Sequence, residues 1–284
     1  MDIPSLINTL VTITLVEMMV AIGLRVTVAE LLVVTRNWAL VARGILANYL
    51  CVPSVTVALL LLFDASPMVA AGFVILAACP GAPYGPPFTA IAKGDVAVAV
   101  GLMVLLAGSS AVVAPLLLGG LLPWLSEGES MAIDATKIVV TLLLTQLLPL
   151  CVGVVMRHSW PKLADRLQGP ATLLSKLLNL AAVGLILVVQ FPLLISIRPV
   201  AFAGMLALLV ASWAIGWLLG GRDLGVRTTM MLTTSLRNVA VGLVIATGSF
   251  AGTAAVTAVA AYGLISLLGT LAMAMILACI SHQL

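Results

Sequence analysis

The chain has 284 residues, of which 63% are hydrophobic and only 8% charged, and its formal net charge is +3. A water-soluble fold of this length cannot bury that much apolar surface, so lipid is the expected solvent. The 13 Lys and Arg residues are scattered singly, which excludes a basic nucleic-acid-binding face.

Gly, Pro and charge clusters divide the sequence into about nine apolar units, near 5–24, 38–63, 67–92, 95–118, 136–156, 171–195, 199–220, 226–247 and 253–280. Only helices or closed barrels satisfy their backbone in lipid, and these runs lack the alternation of barrel strands. The fold class predicted is therefore an all-α integral membrane protein. The longest connections are 119–135 and 157–170, too short for a separate extramembrane module. Cys51, Cys79, Cys151 and Cys279 form no C-x-x-C pair and read as small buried hydrophobes.

The first unit starts directly after Met1-Asp2 with no basic region or cleavage site, which predicts a retained span. Glu17 lies well inside it. A carboxyl there reads either as a proton carrier, since apolar surroundings favour its neutral form until it is solvated, or as a structural partner for a cation or a neighbouring helix.

The third unit contains Cys79-Pro80-Gly81-Ala82-Pro83-Tyr84-Gly85-Pro86-Pro87, four prolines and two glycines in an otherwise apolar segment. Each Pro removes a backbone donor and clashes with the preceding turn, so no continuous helix is expected. Irregular backbone at membrane depth is tolerated only against protein or a wet cavity. The break is either a kink with a packing role or a place where freed carbonyls and half-helix ends meet a solute. In the fifth and sixth units Gln146, Asn179 and Gln190 read as interhelical hydrogen-bonders.

The eighth unit carries Thr233-Thr234-Ser235-Leu236-Arg237-Asn238 between apolar flanks. An Arg at mid-membrane costs about 2.5–3.5 kcal/mol on insertion scales, so it is expected to face a cavity or a partner. Two interruptions roughly 150 residues apart point to a transporter built from inverted repeats with a midplane site. In the ninth unit Tyr262 and Ser266 are placed to line that cavity with Tyr84, while Ala251, Ala255, Gly263 and Gly269 predict close helix contact.

Charge asymmetry sets the expected orientation. With the N-terminus outside, one set of loops holds Arg25, Arg36, Lys93, Arg157, Lys162, Arg166, Arg222 and Arg227, with Arg43 nearby. The other holds Lys137 and Arg198 beside Asp64, Glu127, Glu129 and Asp134. The first set is then cytoplasmic, with the N-terminus out and the C-terminus in. Compact loops and the absence of a targeting sequence favour a bacterial inner membrane.

The stretch from Cys79-Pro80-Gly81 through Ala92-Lys93-Gly94-Asp95-Val96-Ala97 resembles the signature of the bile acid:sodium symporter family. Ala47-Asn48 with Pro53, Leu148-Pro149 with Gly153, and Leu236-Arg237-Asn238 are similar to further motifs of that family, in its order. The resemblance implies a core domain of crossing broken helices and a panel domain that rocks against it, in inverted five-helix repeats. Under the resemblance, the first helix of the ten-helix version is expected to be missing. It places 5–24, 136–156 and 171–195 in the panel, and 38–63, 67–92, 95–118, 199–220, 226–247 and 253–280 in the core.

Sodium is the coupling ion the resemblance implies, but its ligands are largely replaced. Where the signature has Ser-Asn the chain has Gly85-Pro86, and where the next helix offers hydroxyls it has Ala99 and Met103. The family's Glu and Gln fall on Thr233 and Arg237, and Asn48 keeps an amide in place of a Gln. Arg237 brings only donors and a fixed charge. It reads as a stand-in for bound sodium whose fork can clasp a carboxylate, or as a cation paired internally with a carboxylate or with helix C-terminal carbonyls.

The function expected is secondary transport of a small organic anion by alternating access. Substrate contact falls to Pro83, Tyr84, Gly85, Arg237, Asn238 and Ser266, the crossing to Cys79, Pro80, Gly81, Ala82, Pro86, Pro87, Thr233, Thr234 and Ser235, and ion or proton coupling to Asn48 and Glu17. A conventional sodium/organic anion symporter and a non-transporting sensor of the same fold are the alternatives. No metal or other cofactor is expected beyond the sodium of the family. An enzyme is not expected: H-E-x-x-H and G-x-S-x-G motifs are absent, and the two histidines, His158 and His282, sit near helix ends.

Overall fold

In the computed structural model, the described residues are 3–125, 134–189, 191–192, 197 and 199–280. Glu127, Glu129, Gln190, Arg198 and His282 lie outside them. Eight helices among the described residues are long and apolar enough to cross a bilayer, and the chain is an all-α, multi-pass membrane protein. The nine expected units correspond to these eight spans plus the broken third unit.

The first unit is α1 (Ile3–Arg25). It is followed by α2 (Val28–Thr35), a helix in a stretch expected to be a connection. Its cause is a capping box: the Thr27 hydroxyl accepts from Glu30 N at 3.3 Å, and Glu30 accepts from Thr27 N at 2.8 Å.

The second unit runs from α3 (Trp38–Ile45) through a π-helical turn, Leu46–Cys51, into α4 (Val52–Leu62). The fifth repeats the device as α8 (Ala135–Leu142), a π turn at Leu143–Leu147 and α9 (Leu148–Ser159). Pro53 and Pro149 sit in the first turn of α4 and α9. Each proline lacks a donor and crowds the carbonyl four residues back, so the turn before it widens.

The third unit splits into α5 (Pro67–Ala77) and α6 (Gly85–Ile91), and the fourth is α7 (Val96–Leu125). After α9 comes α10 (Pro161–Val189), then α11 (Pro199–Leu219). The eighth unit splits into α12 (Leu224–Ser235) and α13 (Val239–Ser249), and α14 (Ala254–Ile280) is the ninth.

The two longest expected connections are thus helical in part or nearly in whole. Residues 119–125 belong to α7, and 157–170 falls in α9 and α10 with only Trp160 between them. Pro161 opens α10, where its missing N–H is no loss, and Arg157 of α9 pairs with Asp165 of α10.

Three helices, α1, α9 and α10, pack together, α1 and α9 by close backbone approach. A Cβ on Gly23 of α1 would lie 2.5 Å from the Leu150 carbonyl oxygen and 2.8 Å from Gly153 Cα on α9. In lipid, where apolar surface gives helices no reason to associate, such backbone contact maximises dispersion attraction. In a second group, α14 lies along α5 and touches α6, α11, α12 and α13, and it also meets α10. α1 meets this second group through α13, where the Thr247 hydroxyl donates to Asn8 Oδ1 at 2.9 Å.

Candidate functional site

The two breaks meet. The first occupies residues 78–84 and the second only Leu236–Asn238, so Thr233, Thr234 and Ser235 form the last turn of α12 rather than the break itself. Pro86 and Pro87 likewise lie in the first turn of α6, where proline is tolerated, and the break proper is carried by Cys79, Pro80, Gly81, Ala82 and Pro83. Asn238 N donates to the Cys79 carbonyl at 2.8 Å, joining one break to the other.

Gly81 has φ +84°, a left-handed conformation that costs other residues energy. A Cβ there would also strike the Ala107 backbone nitrogen of α7 and approach the Met103 carbonyl oxygen to 2.8 Å. The break therefore lies directly on the α7 backbone. From the two π turns, Tyr49 Oη donates to the Leu106 carbonyl of α7 at 2.9 Å, and Gln146 Nε2 donates to the Ala107 carbonyl and to Ser110 Oγ. Gln146 is the interhelical donor expected of it.

Arg237 is buried, with 2% of its surface exposed. Nη1 donates to the Ala77 carbonyl, the last residue of α5, at 3.3 Å, and Nη2 to the Thr234 carbonyl in the last turn of α12 at 2.8 Å. Among the described residues no carboxylate lies within ion-pair distance of it. Of the partners expected for it, the guanidinium meets helix C-terminal carbonyls. Both terminal nitrogens are engaged with the scaffold, so the two-pronged grip on a carboxylate is not free in this conformation.

Asn238 is fully buried and caps α13, its Oδ1 accepting from Val241 N at 3.3 Å. Its Nδ2 has no protein acceptor, and neither has Arg237 Nε. Both residues line a cavity of about 60 Å³. Its walls include Pro83 and Tyr84 from the first break, Ser266 from α14, Met18 from α1 and Asn179 from α10. Gly85 is not on this wall: it faces the Thr233 methyl, 3.1 Å from where its Cβ would stand. Tyr262 is also absent from it and packs on Phe73, ring centroids 5.5 Å apart.

Three hydroxyls around the crossing, those of Thr233, Ser235 and Ser266, donate back into their own helices, whereas Thr234 Oγ1 is buried without a hydrogen-bond partner. Thr233 donates to the Thr229 carbonyl at 2.8 Å and Ser266 to the Gly263 carbonyl at 2.9 Å. Ser235 donates to the Leu232 carbonyl and lies 2.9 Å from Thr270 Oγ1, a partner with no signal in the sequence. Asn48, buried in the first π turn, donates to the Gly44 carbonyl at 3.0 Å and does not reach the cavity.

Glu17 accepts a hydrogen bond from Ser175 of α10. It neighbours Met18 on the cavity wall without lining it. Ser175 is a partner that the sequence does not mark, because a lone Ser in a long apolar helix looks like any other. Asn179, one turn on, reaches Met18 Sδ at 3.7 Å.

A larger cavity, about 580 Å³, lies between α4, α5, α11 and α14, with Phe63, Phe73, Met205, Thr56 and Asp64 on its walls. Its one charge among the described lining residues is acidic, which suits an anion poorly. The small cavity at the crossing has the donors.

Comparison with known proteins identifies the family. The family model described as Sodium Bile acid symporter family matches residues 12–216, which include the first break, whereas Leu236–Asn238 lie beyond the match. A curated relative, "Probable sodium/metabolite cotransporter BASS2, chloroplastic" of Oryza sativa subsp. japonica, is 29% identical over 170 residues, covering 60% of this chain and 39% of the relative's own length. With the family model covering well over half of its length, the chain belongs to the sodium bile acid symporter family, a family of membrane transporters.

Proposed function

We propose that the protein is a secondary carrier of small organic anions, binding its solute in the cavity beneath the helix crossing. The observation that carries this reading is the pair of buried donors without a protein acceptor, Asn238 Nδ2 and Arg237 Nε, on two residues that line the cavity. An unmade buried hydrogen bond costs about 1–3 kcal/mol, so such a wall favours a guest that brings acceptors. Asn238 also begins α13, whose first backbone N–H groups and positive dipole end favour negative charge.

Movement of the solute is by alternating access. The cavity lies at the seam between the α1, α9 and α10 group, which acts as the panel, and the crossing helices, which act as the core. A volume of about 60 Å³ is only about twice the share of one water in the liquid. Ligand pockets usually measure roughly 300–1,000 Å³. This conformation is therefore too contracted at the site for a drug-sized solute, and α1 and α10 withdraw to admit one. The membrane is a cell inner membrane, with the N-terminus outside and the C-terminus cytoplasmic, as the Lys and Arg asymmetry favours.

The test is uptake of a panel of labelled organic anions into proteoliposomes, run beside equilibrium binding of the same panel to purified protein. Binding with uptake supports the carrier. Binding without uptake makes the protein a sensor of the same fold, and binding only of cations or neutral solutes removes the anion.

A further inference from the structure

Two half-helices end at the crossing with their C-termini inward, α5 at Ala77 and α12 at Ser235. The last carbonyls of a helix have no partner within it, and each C-terminus carries the equivalent of about half a negative charge. Two such ends, converging in a region from which water is largely excluded, amount to about one negative charge and call for one cation. Arg237 meets that need: it is buried, has no carboxylate partner among the described residues, and donates to the Ala77 and Thr234 carbonyls, one from each end.

We infer that Arg237 permanently occupies the place of a coupling cation at the crossing, so that the carrier binds no sodium there and moves its solute without a sodium gradient. Sodium needs several oxygen ligands, and a guanidinium has none to give. It also holds the two carbonyls such an ion would use. On α7, Ala99 and Met103 are buried and carry no side-chain oxygens. This departs from the sodium in the family's description and in the relative's name. A mobile cation has to be rebound in every cycle, whereas a fixed one holds the same positive potential beside the anion in all conformations.

The inference rests on the carrier reading only in its transport half, and a binding measurement decides it independently. Thermal unfolding of the purified protein in detergent, followed through its five tryptophans, is compared in sodium and in potassium at equal ionic strength. The wild type is expected to show no sodium-specific shift. Arg237→Gln removes the fixed charge and frees both carbonyls, and is expected to gain a midpoint that rises with sodium and not with potassium. Arg237→Lys keeps the charge and is expected to stay insensitive. In liposomes, wild-type uptake should run at equal rates with and without sodium. A sodium-specific rise in the wild-type midpoint, or a folded Arg237→Gln protein that gains none, overturns the inference. If Arg237→Gln does not fold, the wild-type and Arg237→Lys midpoints still decide it. A wild type that moves no anion at all defeats the carrier reading and leaves the sodium comparison to be judged on the melting data.

Discussion

Asn238 N donates to the Cys79 carbonyl at 2.8 Å, and this bond ties together two chain breaks that lie 159 positions apart. Around it the backbone does most of the polar chemistry. The Ala77 and Thr234 carbonyls hold the guanidinium, the start of α13 offers N–H groups, and the side chains nearby largely position these ends.

Gly81 fixes the height of the first break. Ala at this position meets a left-handed φ, which costs about 1–2 kcal/mol, and drives a methyl group into the α7 backbone, which costs about 1–3 kcal/mol. The thermal midpoint of Gly81→Ala in detergent should fall by several degrees and anion binding should weaken with it. An unchanged midpoint would mean that the break does not rest on α7.

Asn238 serves helix and solute with different atoms, and substitutions can separate them. Asn238→Asp keeps the capping oxygen and should retain the wild-type midpoint, but it exchanges the free donor for negative charge. Anion binding should fall about tenfold or more, as expected for losing a hydrogen bond to a charged group worth about 1.5–3 kcal/mol. Asn238→Ala loses both, with about 1 kcal/mol of stability gone as well. Calorimetric binding beside a melt distinguishes the two losses, and undiminished binding by Asn238→Asp places the solute elsewhere.

How much of this was legible from residues alone depends on the kind of signal. Proline and glycine at 79–87 announce a break because their backbone chemistry is local, and the polar run at 233–238 announces the second because lipid penalises charge. The capping box Thr27-x-x-Glu30 was equally local and predicts α2 once it is looked for. The helical 157–170 was harder: Pro161 and Pro170 suggest interruption, yet the one opens a helix and the other is accommodated inside α10. The cavity wall contributed by Val183 and Ile186 is apolar like most of the chain, so nothing in the sequence marks it. The engagement of the Arg237 fork with carbonyls depends on where α5 and α12 end in space, which no spacing rule supplies.

Glu17 and Ser175 join α1 to α10 inside the α1, α9 and α10 group. Because Glu17 is off the cavity wall, the expected role is to hold these helices together. A double-mutant cycle of Glu17→Ala with Ser175→Ala should give a coupling energy of about 0.6–1.7 kcal/mol, the range of interhelical hydrogen bonds in membranes. Glu17→Gln keeps a hydrogen-bonding partner and should leave the pH profile of uptake where the wild type has it. A shifted profile in that variant would give Glu17 the proton-carrying role instead.

The central claim is that one site is exposed alternately to the two sides of the membrane, and counterflow tests it without reference to any coupling ion. Liposomes holding the wild-type protein are loaded with an unlabelled anion that binds, then diluted into a trace of the same anion carrying a label, with no ion gradient present. The account predicts transient accumulation of label above its equilibrium level, lost in Asn238→Asp. Label that only equilibrates monotonically, or never enters, contradicts it.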